Sequence, residues 1–309
     1  MNNKKKYIVY TPEYDENNGG AIVLHKLCSI LNDLGNEAYI YPFKICLPKK
    51  DDNGYQIYFR RIIKYFKLKL KKTVTNDSFN TPIFPKKSLK IDSSFIVIYP
   101  EIVDGNPLNA KNVIRWLLHR PGFFSGKINY SKGELYFRYQ KGLVSEFHFK
   151  DSFTSDLFLK VIHFPRNLYN NKDLAKVRTG SAYSIRKGKG KKFQHDLVGS
   201  ILIDGKSHEE ISQIFKRVKV FISYDTQTAY SRLAALCECE SIIIPDEGQS
   251  KNDWKPLIKQ RYGLSFGFDD YYTNNSSQYD LLLTQILLEE NESESNVKKF
   301  VVESQQYFI

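Results

Sequence analysis

The chain has 309 residues, 41% of them apolar and 26% charged, which excludes pervasive disorder and leaves room for about two domains. Lys and Arg number 46 against 34 Asp and Glu, so the net charge of +12 excludes a basic partner as the natural one and favours a polyanion, a phosphorylated ligand or an anionic membrane surface. The four cysteines, Cys28, Cys46, Cys237 and Cys239, form no C-x-x-C pair and fit a reduced, cytoplasmic compartment. Cys237-Glu-Cys239 reads as two small buried thiols at a helix end rather than a metal corner.

The start, "MNNKKKYIVYTPEY", is basic, but its apolar run stops at Pro12 and is too short for the core of a signal peptide. No segment approaches the ~20 apolar residues of a membrane span, so the chain is expected to be soluble or peripheral on a membrane. "YIVYTP" (7–12) reads as a strand and "NNGG" (17–20) as a loop. In "AIVLHKLCSILNDLG" the residues Ile22, Leu24, Leu27, Ile30, Leu31 and Leu34 recur at helical spacing up to a C-capping Gly35. "NEAYIYP" supplies the next strand, which makes a β-α-β unit with a right-handed crossover.

"SFIVIYPEI" continues as a buried strand and "NVIRWLLH" as another short strand, with "LVSEFHF" and "KVIHFP" as further short strands or connections. A second series begins near residue 180: strand "GSAYSIRKG", helix "SHEEISQIFKRV", strand "KVFISYD", helix "TQTAYSRLAALCE" and strand "ESIIIPDE". The expected organisation is an α/β domain over 1–165, a second over 166–295, and a terminal helix over 296–309 that follows a polar "NESESN" loop and docks on either. The boundary is placed where "FPRNLYNNKD" collects Pro and Asn.

Four stretches bear on chemistry. Gly19 and Gly20 let the backbone approach a ligand at a helix start, although neither G-x-G-x-x-G nor G-K-[ST] is present, and an ordinary turn is the plain alternative. "RRIIKYFKLKLKK" (60–72) interleaves cations with apolar side chains, as an anionic membrane surface requires; a solvated helix or a lysine-protected edge strand has the same pattern. No nucleic-acid-binding motif occurs, so no nucleic-acid partner is expected.

In "SIRKGKGKK", Arg186, Lys187, Lys189, Lys191 and Lys192 surround Gly188 and Gly190 at the expected carboxyl end of a parallel strand, where α/β sheets bind ligands. A diphosphate there meets guanidinium and ammonium partners, with the glycines letting the backbone come near; a solvated basic loop is the alternative. At the same sheet edge a strand ends at Asp225 and a helix is expected to start at Thr226–Thr228, with Tyr230 and Ser231 in its first turns. His119, before Arg120-Pro121-Gly122, is the histidine placed for catalysis or ligand positioning, while His25 and His163 read as structural. No G-x-S-x-G, H-E-x-x-H or nucleophilic cysteine signature is present.

With these residues in order, the chain resembles the GT-B-fold glycosyltransferases of bacterial capsule, O-antigen and lipopolysaccharide loci, of the retaining family 4-like kind. The resemblance is carried by "GGAIVLHKLCSILNDLGNEAYIYP", "YPEIVDGNPLNAKNVIRWLLHRPG" and "YSIRKGKGKK … SYDTQTAYSRLAALCECESIIIPDEGQSKNDW". It implies two Rossmann-like domains facing across a cleft. The first holds a surface-polysaccharide or lipid-linked glycan acceptor through Gly19, Gly20 and His119. The second holds a nucleotide-sugar donor through Arg186, Lys187, Lys191, Asp225, Thr226, Thr228, Tyr230, Ser231 and Glu247.

His119, Arg186 and Lys191 are then the catalytic candidates, the two cations stabilising the leaving diphosphate without a metal or other cofactor. The absence of any Asp-x-Asp agrees with that expectation. Where such enzymes carry two glutamates eight positions apart, this chain has Asp225 and Leu233. That departure favours the competing readings: a non-catalytic scaffold of polysaccharide assembly, or a transferase of a phosphorylated group other than a sugar. A transferase of this kind is expected in the cytoplasm, at the inner membrane face.

Overall fold

The computed structural model describes residues 4–43, 73–86, 88–124, 126–140, 149, 151–273 and 278–309. The basic segment 60–72, Cys46 and residues 143–148 of the expected strand "LVSEFHF" lie outside the described residues. The chain divides into unit 1, Met1–His163 with Glu290–Ile309, and unit 2, Phe164–Glu289.

Unit 1 is built on a six-stranded parallel sheet with the order β2-β1-β3-β4-β5-β6. Its strands are β1 (Lys6–Pro12), β2 (Ala38–Phe43), β3 (Phe95–Pro100), β4 (Asn112–Leu117), β5 (Leu135–Arg138) and β6 (Phe153–Phe158). Every residue of the central strands β3 and β4 is buried because both faces are covered, and β3 is a continuous apolar run. Tyr7, Val9, Ile96, Ile98, Ile114 and Trp116 enter one core with Leu24, Leu27, Cys28 and Leu31 of helix α1 (Gly19–Asp33), the 3.6-residue stripe read from the sequence. Ile8, Phe95, Val97, Tyr99 and Val113 enter the opposite core, as the two-residue alternation of a strand requires.

Unit 2 repeats the plan with five parallel strands in the order β11-β10-β9-β7-β8. These are β7 (Ser181–Ser184), β8 (Ile201–Leu202), β9 (Val220–Ser223), β10 (Glu240–Ile243) and β11 (Leu264–Phe266). Helix α2 (His208–Phe215) starts on a full capping box between Ser207 and Glu210. Ile211 and Phe215 of α2, with Leu233 and Leu236 of α3 (Tyr230–Leu236), form the core against Phe221 and Ile243. Two short helices, α4 (Lys251–Trp254) and α5 (Gly267–Thr273), complete the unit. Both units therefore have the doubly wound α/β topology in which the second strand in sequence lies outside the first and the third lies on its other side.

Two expectations are corrected and one open alternative is decided. The polar "NESESN" is not a loop: α6 runs unbroken over 29 residues, Tyr279–Tyr307, with Ser293 buried and its Oγ accepting the Ile162 amide at 3.2 Å. Beyond it Val297 and Phe300 fill the core of unit 1. Of the two readings of "KVIHFP", strand or connection, the structure has the connection. Gly19 and Gly20 do not precede α1 but are its first two residues, capped by Asn18, whose Oδ1 accepts the Ala21 amide.

Candidate functional site

In each sheet the connections leave in opposite directions from the first strand, and ligands of such sheets bind at the carboxyl ends of the strands flanking that point. In unit 2 the point lies between β7 and β9. The basic segment follows β7, and the segment 224–229 follows β9, so topology brings together the two stretches singled out in the sequence.

Beyond β7 the backbone closes into a single 3-10 turn, Arg186–Gly188. Ile185 has right-handed helical angles and Arg186 a φ of 39°, an arrangement that points successive amides into one concavity suited to an anion. The chain fills that concavity itself: Asp204 Oδ2 accepts the amides of Ile185 (3.1 Å) and Arg186 (2.9 Å), and Oδ1 accepts the Ser184 hydroxyl (2.6 Å). A positive φ is costly for a residue with a Cβ, so Asp204 is what holds Arg186 there. The Arg186 guanidinium lies 5.2 Å from the Tyr230 ring centroid, at the start of α3.

Gly188 has a different task from the one expected. A Cβ at this residue would stand 2.1 Å from the Tyr224 carbonyl oxygen, so the glycine admits the chain's own β9 end rather than a ligand. Lys191 is also engaged, bonding the Ile244 carbonyl at 2.8 Å and Asp246 Oδ1 at 2.7 Å. That ammonium holds the exposed Asp246 carboxyl below its ordinary range. Lys187, Lys189 and Lys192 are exposed.

After β9, Asp225 is buried and its Oδ1 accepts the Gln227 amide at 2.9 Å. Helix α3 starts at Tyr230, later than the Thr226–Thr228 expected, with Ala229 as an N-cap that makes no side-chain bond. Thr228 Oγ1 still accepts the Tyr230 amide at 3.3 Å, and Thr226 Oγ1 donates to Asp246 Oδ2 at 3.2 Å. The Thr226 carbonyl receives the Trp254 indole N–H at 2.8 Å, which ties this turn to α4. Ser231 Oγ is buried with no partner among the described residues. Glu247 is exposed on the loop after β10, and Leu233 faces the apolar core. Arg186, Tyr230, Asp225, Thr226 and Lys191 thus gather around one sheet edge through Asp204, Asp246 and Tyr224, three residues for which the sequence carried no separate signal.

In unit 1 the corresponding point lies between β1 and β3. Gly19 and Gly20 open α1 beside it, and a Cβ added at Gly19 would meet no atom within 4 Å. His119 follows β4 at the same sheet edge, its ring 4.5 Å from Phe123 and 5.1 Å from Phe124, with Nδ1 buried and without a partner among the described residues. His25 is buried, as a structural histidine should be, with Nε2 on the Pro12 carbonyl at 2.9 Å.

The residue that the sequence reading passed over is Glu101, directly after β3 and only 5% exposed. Its carboxyl accepts the backbone amides of Leu118 (3.1 Å) and His119, and burial drives its pKa up to about 7 against these bonds. A carboxylate immediately after an all-apolar run, "FIVIYPE", was the available signal. Behind it Arg115, wholly buried, pairs through Nε and Nη2 with both oxygens of Glu134 at 2.9 and 2.8 Å and donates to the carbonyls of Val103 and Gly105. Its guanidinium lies 4.2 Å from the Tyr130 ring centroid and 5.1 Å from that of Tyr99.

No helix of the described residues is long and apolar enough to cross a membrane. No protein-family model matches the sequence, and no curated protein matches it. Among solved structures the chain is similar to the spinosyn forosaminyltransferase SpnP, at 9% identity over 98% of this chain and 95% of that one, with a TM-score of 0.33.

Proposed function

We propose that the protein is a glycosyltransferase that moves a sugar from a nucleoside-diphosphate donor, held by unit 2, to a surface-polysaccharide or lipid-linked glycan acceptor, held by unit 1. The observation that carries this reading is Arg186, kept at a positive φ by Asp204 beside the point where the connections of the unit 2 sheet diverge. Backbone strain maintained by dedicated bonds, at the sheet edge where phosphates bind, is a mark of a working site. Since the turn's amides are taken by Asp204, the diphosphate is met by the side chains of Arg186 and Lys187, with Thr226, Thr228 and Asp225 on the facing turn and Glu247 as a further donor contact.

In this reaction the bond between the sugar and the diphosphate breaks and a bond to the acceptor hydroxyl oxygen forms. The growing charge on the diphosphate is neutralised by fixed cations, with no metal or other cofactor required. The hydroxyl proton passes to His119 or Glu101, whose elevated pKa makes it an effective acceptor near neutral pH. The order of the motifs supports a place in bacterial capsule or lipopolysaccharide synthesis, at the cytoplasmic membrane face.

A thermal-shift series with UDP, GDP, CDP, ADP and TDP, with and without EDTA, tests the donor site. One nucleotide raising Tm in EDTA is the expected result, because ligand binding to the folded chain stabilises it. Turnover should disappear in Arg186→Ala/Lys191→Ala while the fold survives; full activity in that variant sinks the diphosphate assignment. A second reading, a scaffold that binds no donor, is favoured by the neutralisation of Lys191 by Asp246 and requires that no nucleotide shift Tm.

A further inference from the structure

Among the described residues, the connection from β7 to β8 is the unit 2 crossover without an α-helix: after the turn Arg186–Gly188 it runs as irregular chain to Ser200. It passes over the sheet face opposite α2 and α3, where Ile222, Tyr224, Ile242 and Ile244 form a small core with Tyr183 at its margin. Two rings of the connection lie on that face. Phe193 stands edge-on to Tyr183 (6.1 Å between centroids) and Tyr224 (5.2 Å), and His195 lies 5.1 Å from Tyr183 and 5.8 Å from Tyr224. Phe193 stays 41% exposed, so this cover is shallow and lifting it forfeits little apolar burial.

The ends of the connection are pinned. Lys191 is held by the Ile244 carbonyl and Asp246, and Ser200 by a 2.8 Å bond from the Ser181 hydroxyl. Between them no amide from Lys192 to Gly199 donates to a backbone carbonyl among the described residues. The middle is held by one group, the Tyr224 hydroxyl, which accepts the Gln194 amide at 2.8 Å and lies 2.8 Å from His195 Nδ1.

These donors fix the state of the imidazole. The Gln194 N–H can only donate, so the Tyr224 oxygen accepts it and turns its own hydrogen to His195 Nδ1. The ring is then neutral, with its proton on Nε2 facing Ser200 Oγ at 3.3 Å. A second proton, on Nδ1, would meet the hydroxyl hydrogen, and the bond that seats the connection would be lost. Burial holds the pKa of His195 below 6.5, against the opposing charge of Asp196. The other titratable groups on the ring are the phenols of Tyr183, from β7, and Tyr224, after β9.

We propose that His195 and the Tyr224 hydroxyl form a proton-operated latch that seats residues 192–199 on the sheet while the imidazole is neutral and releases them when it is protonated. Tyr224 is also the residue whose carbonyl oxygen Gly188 abuts, so the latch and the basic turn share one support. Release frees Lys192 and Phe193 and uncovers Tyr183 and Tyr224. Because the folded pKa is depressed, the latch contributes fully above pH 6.5 and is lost as pH falls from there through the lowered value. Only an effect on nucleotide binding rests on the transferase reading; the latch does not.

The test is amide exchange of residues 192–199 in the full chain at about pH 7.5 and about pH 5, corrected for the intrinsic pH dependence of exchange, with the His195 pKa taken from its imidazole resonances. At the lower pH the segment should exchange faster, by up to about tenfold for each pKa unit by which the imidazole lies below its unfolded value. Residues of α2 should show no such change. His195→Asn keeps an acceptor where Nδ1 stands but takes up no proton, so its segment should stay protected at both pH values. Tyr224→Phe removes the hydroxyl and should leave the segment fast at both.

An imidazole that titrates at or above 6.5, or the same acid-induced exchange in His195→Asn, overturns the proposal. So does full protection in Tyr224→Phe. The exchange assay contains no nucleotide, so its failure leaves the thermal-shift result standing and the two readings fail separately.

Discussion

Both units wind their chains in the same order around a parallel sheet, yet they manage charge at the strand ends in opposite ways. Unit 1 buries its charges: Arg115 and Glu134 are 0% and 1% exposed, and Glu101 sits behind backbone amides. Unit 2 keeps its cations near solvent and restrains them with carboxylates, Asp204 through the backbone and Asp246 through Lys191. Buried charge specifies an arrangement and is expensive to disturb, whereas restrained surface charge is cheap to disturb and available to a ligand. A fold shared by two units thus does not carry the chemistry; the residues set on its strand ends do.

The comparison is most easily broken at Arg115. Glu134→Ala strands a buried guanidinium and should cost about 3–5 kcal/mol in denaturant unfolding. Arg115→Met combined with Glu134→Leu should cost far less, because no charge is then left unpaired. Equal losses in the two variants would mean that the site matters for its packing and not for its charge.

Glu101 sharpens the comparison through pH. Its pKa is raised from 4.5 to about 7, so the folded state binds its proton more tightly than the unfolded state does. The stabilisation is complete below pH 4.5 and is lost as pH rises through 7, a change of up to roughly 3 kcal/mol for a shift of this size. Glu101→Gln cannot ionise, so its stability should gain on wild type across that window. Parallel pH profiles would show that the carboxyl is not held in its buried place.

In unit 2 the effects should be smaller. Gly188→Ala forces a Cβ onto the Tyr224 carbonyl and should cost about 1–3 kcal/mol, with loss of any nucleotide-induced shift in Tm. Asp246→Asn releases Lys191 and should change stability by less than about 1 kcal/mol, since Asp246 is 54% exposed and the pair is screened. On the proposed function the same variant should bind the diphosphate nucleotide more tightly. Weaker binding would show that Asp246 positions Lys191 rather than competing for it.

The sequence pattern made several elements legible because their signals are local. "FIVIYP" read as a buried strand and "NVIRWL" as a short one, the 3.6-residue stripe of α1 was plain, and "SHEEISQIFKRV" read as a helix. β6 escaped notice because "FTSDLF" is half exposed and has no alternation, and β8 because it is only two residues long. "NESESN" looked like a loop until Ser293 found the Ile162 amide, 131 residues away in sequence.

At the candidate site the basic glycine turn and the Asp225–Ser231 segment were visible as composition at strand ends, and their meeting beside β7 and β9 followed from α/β grammar. The ion pair of Arg115 with Glu134, 19 residues apart, obeys no helical or strand period, so only packing could show it. The amino-acid order by itself determined the alternation of strands and helices, the positive charge and the placement of cations after β7, because propensity, periodicity and capping act over a few residues. Tertiary structure alone decided that Asp204 fills the turn's own anion nest, that Asp246 engages Lys191 and that burial lifts Glu101, because these outcomes depend on distance and desolvation between residues far apart along the chain.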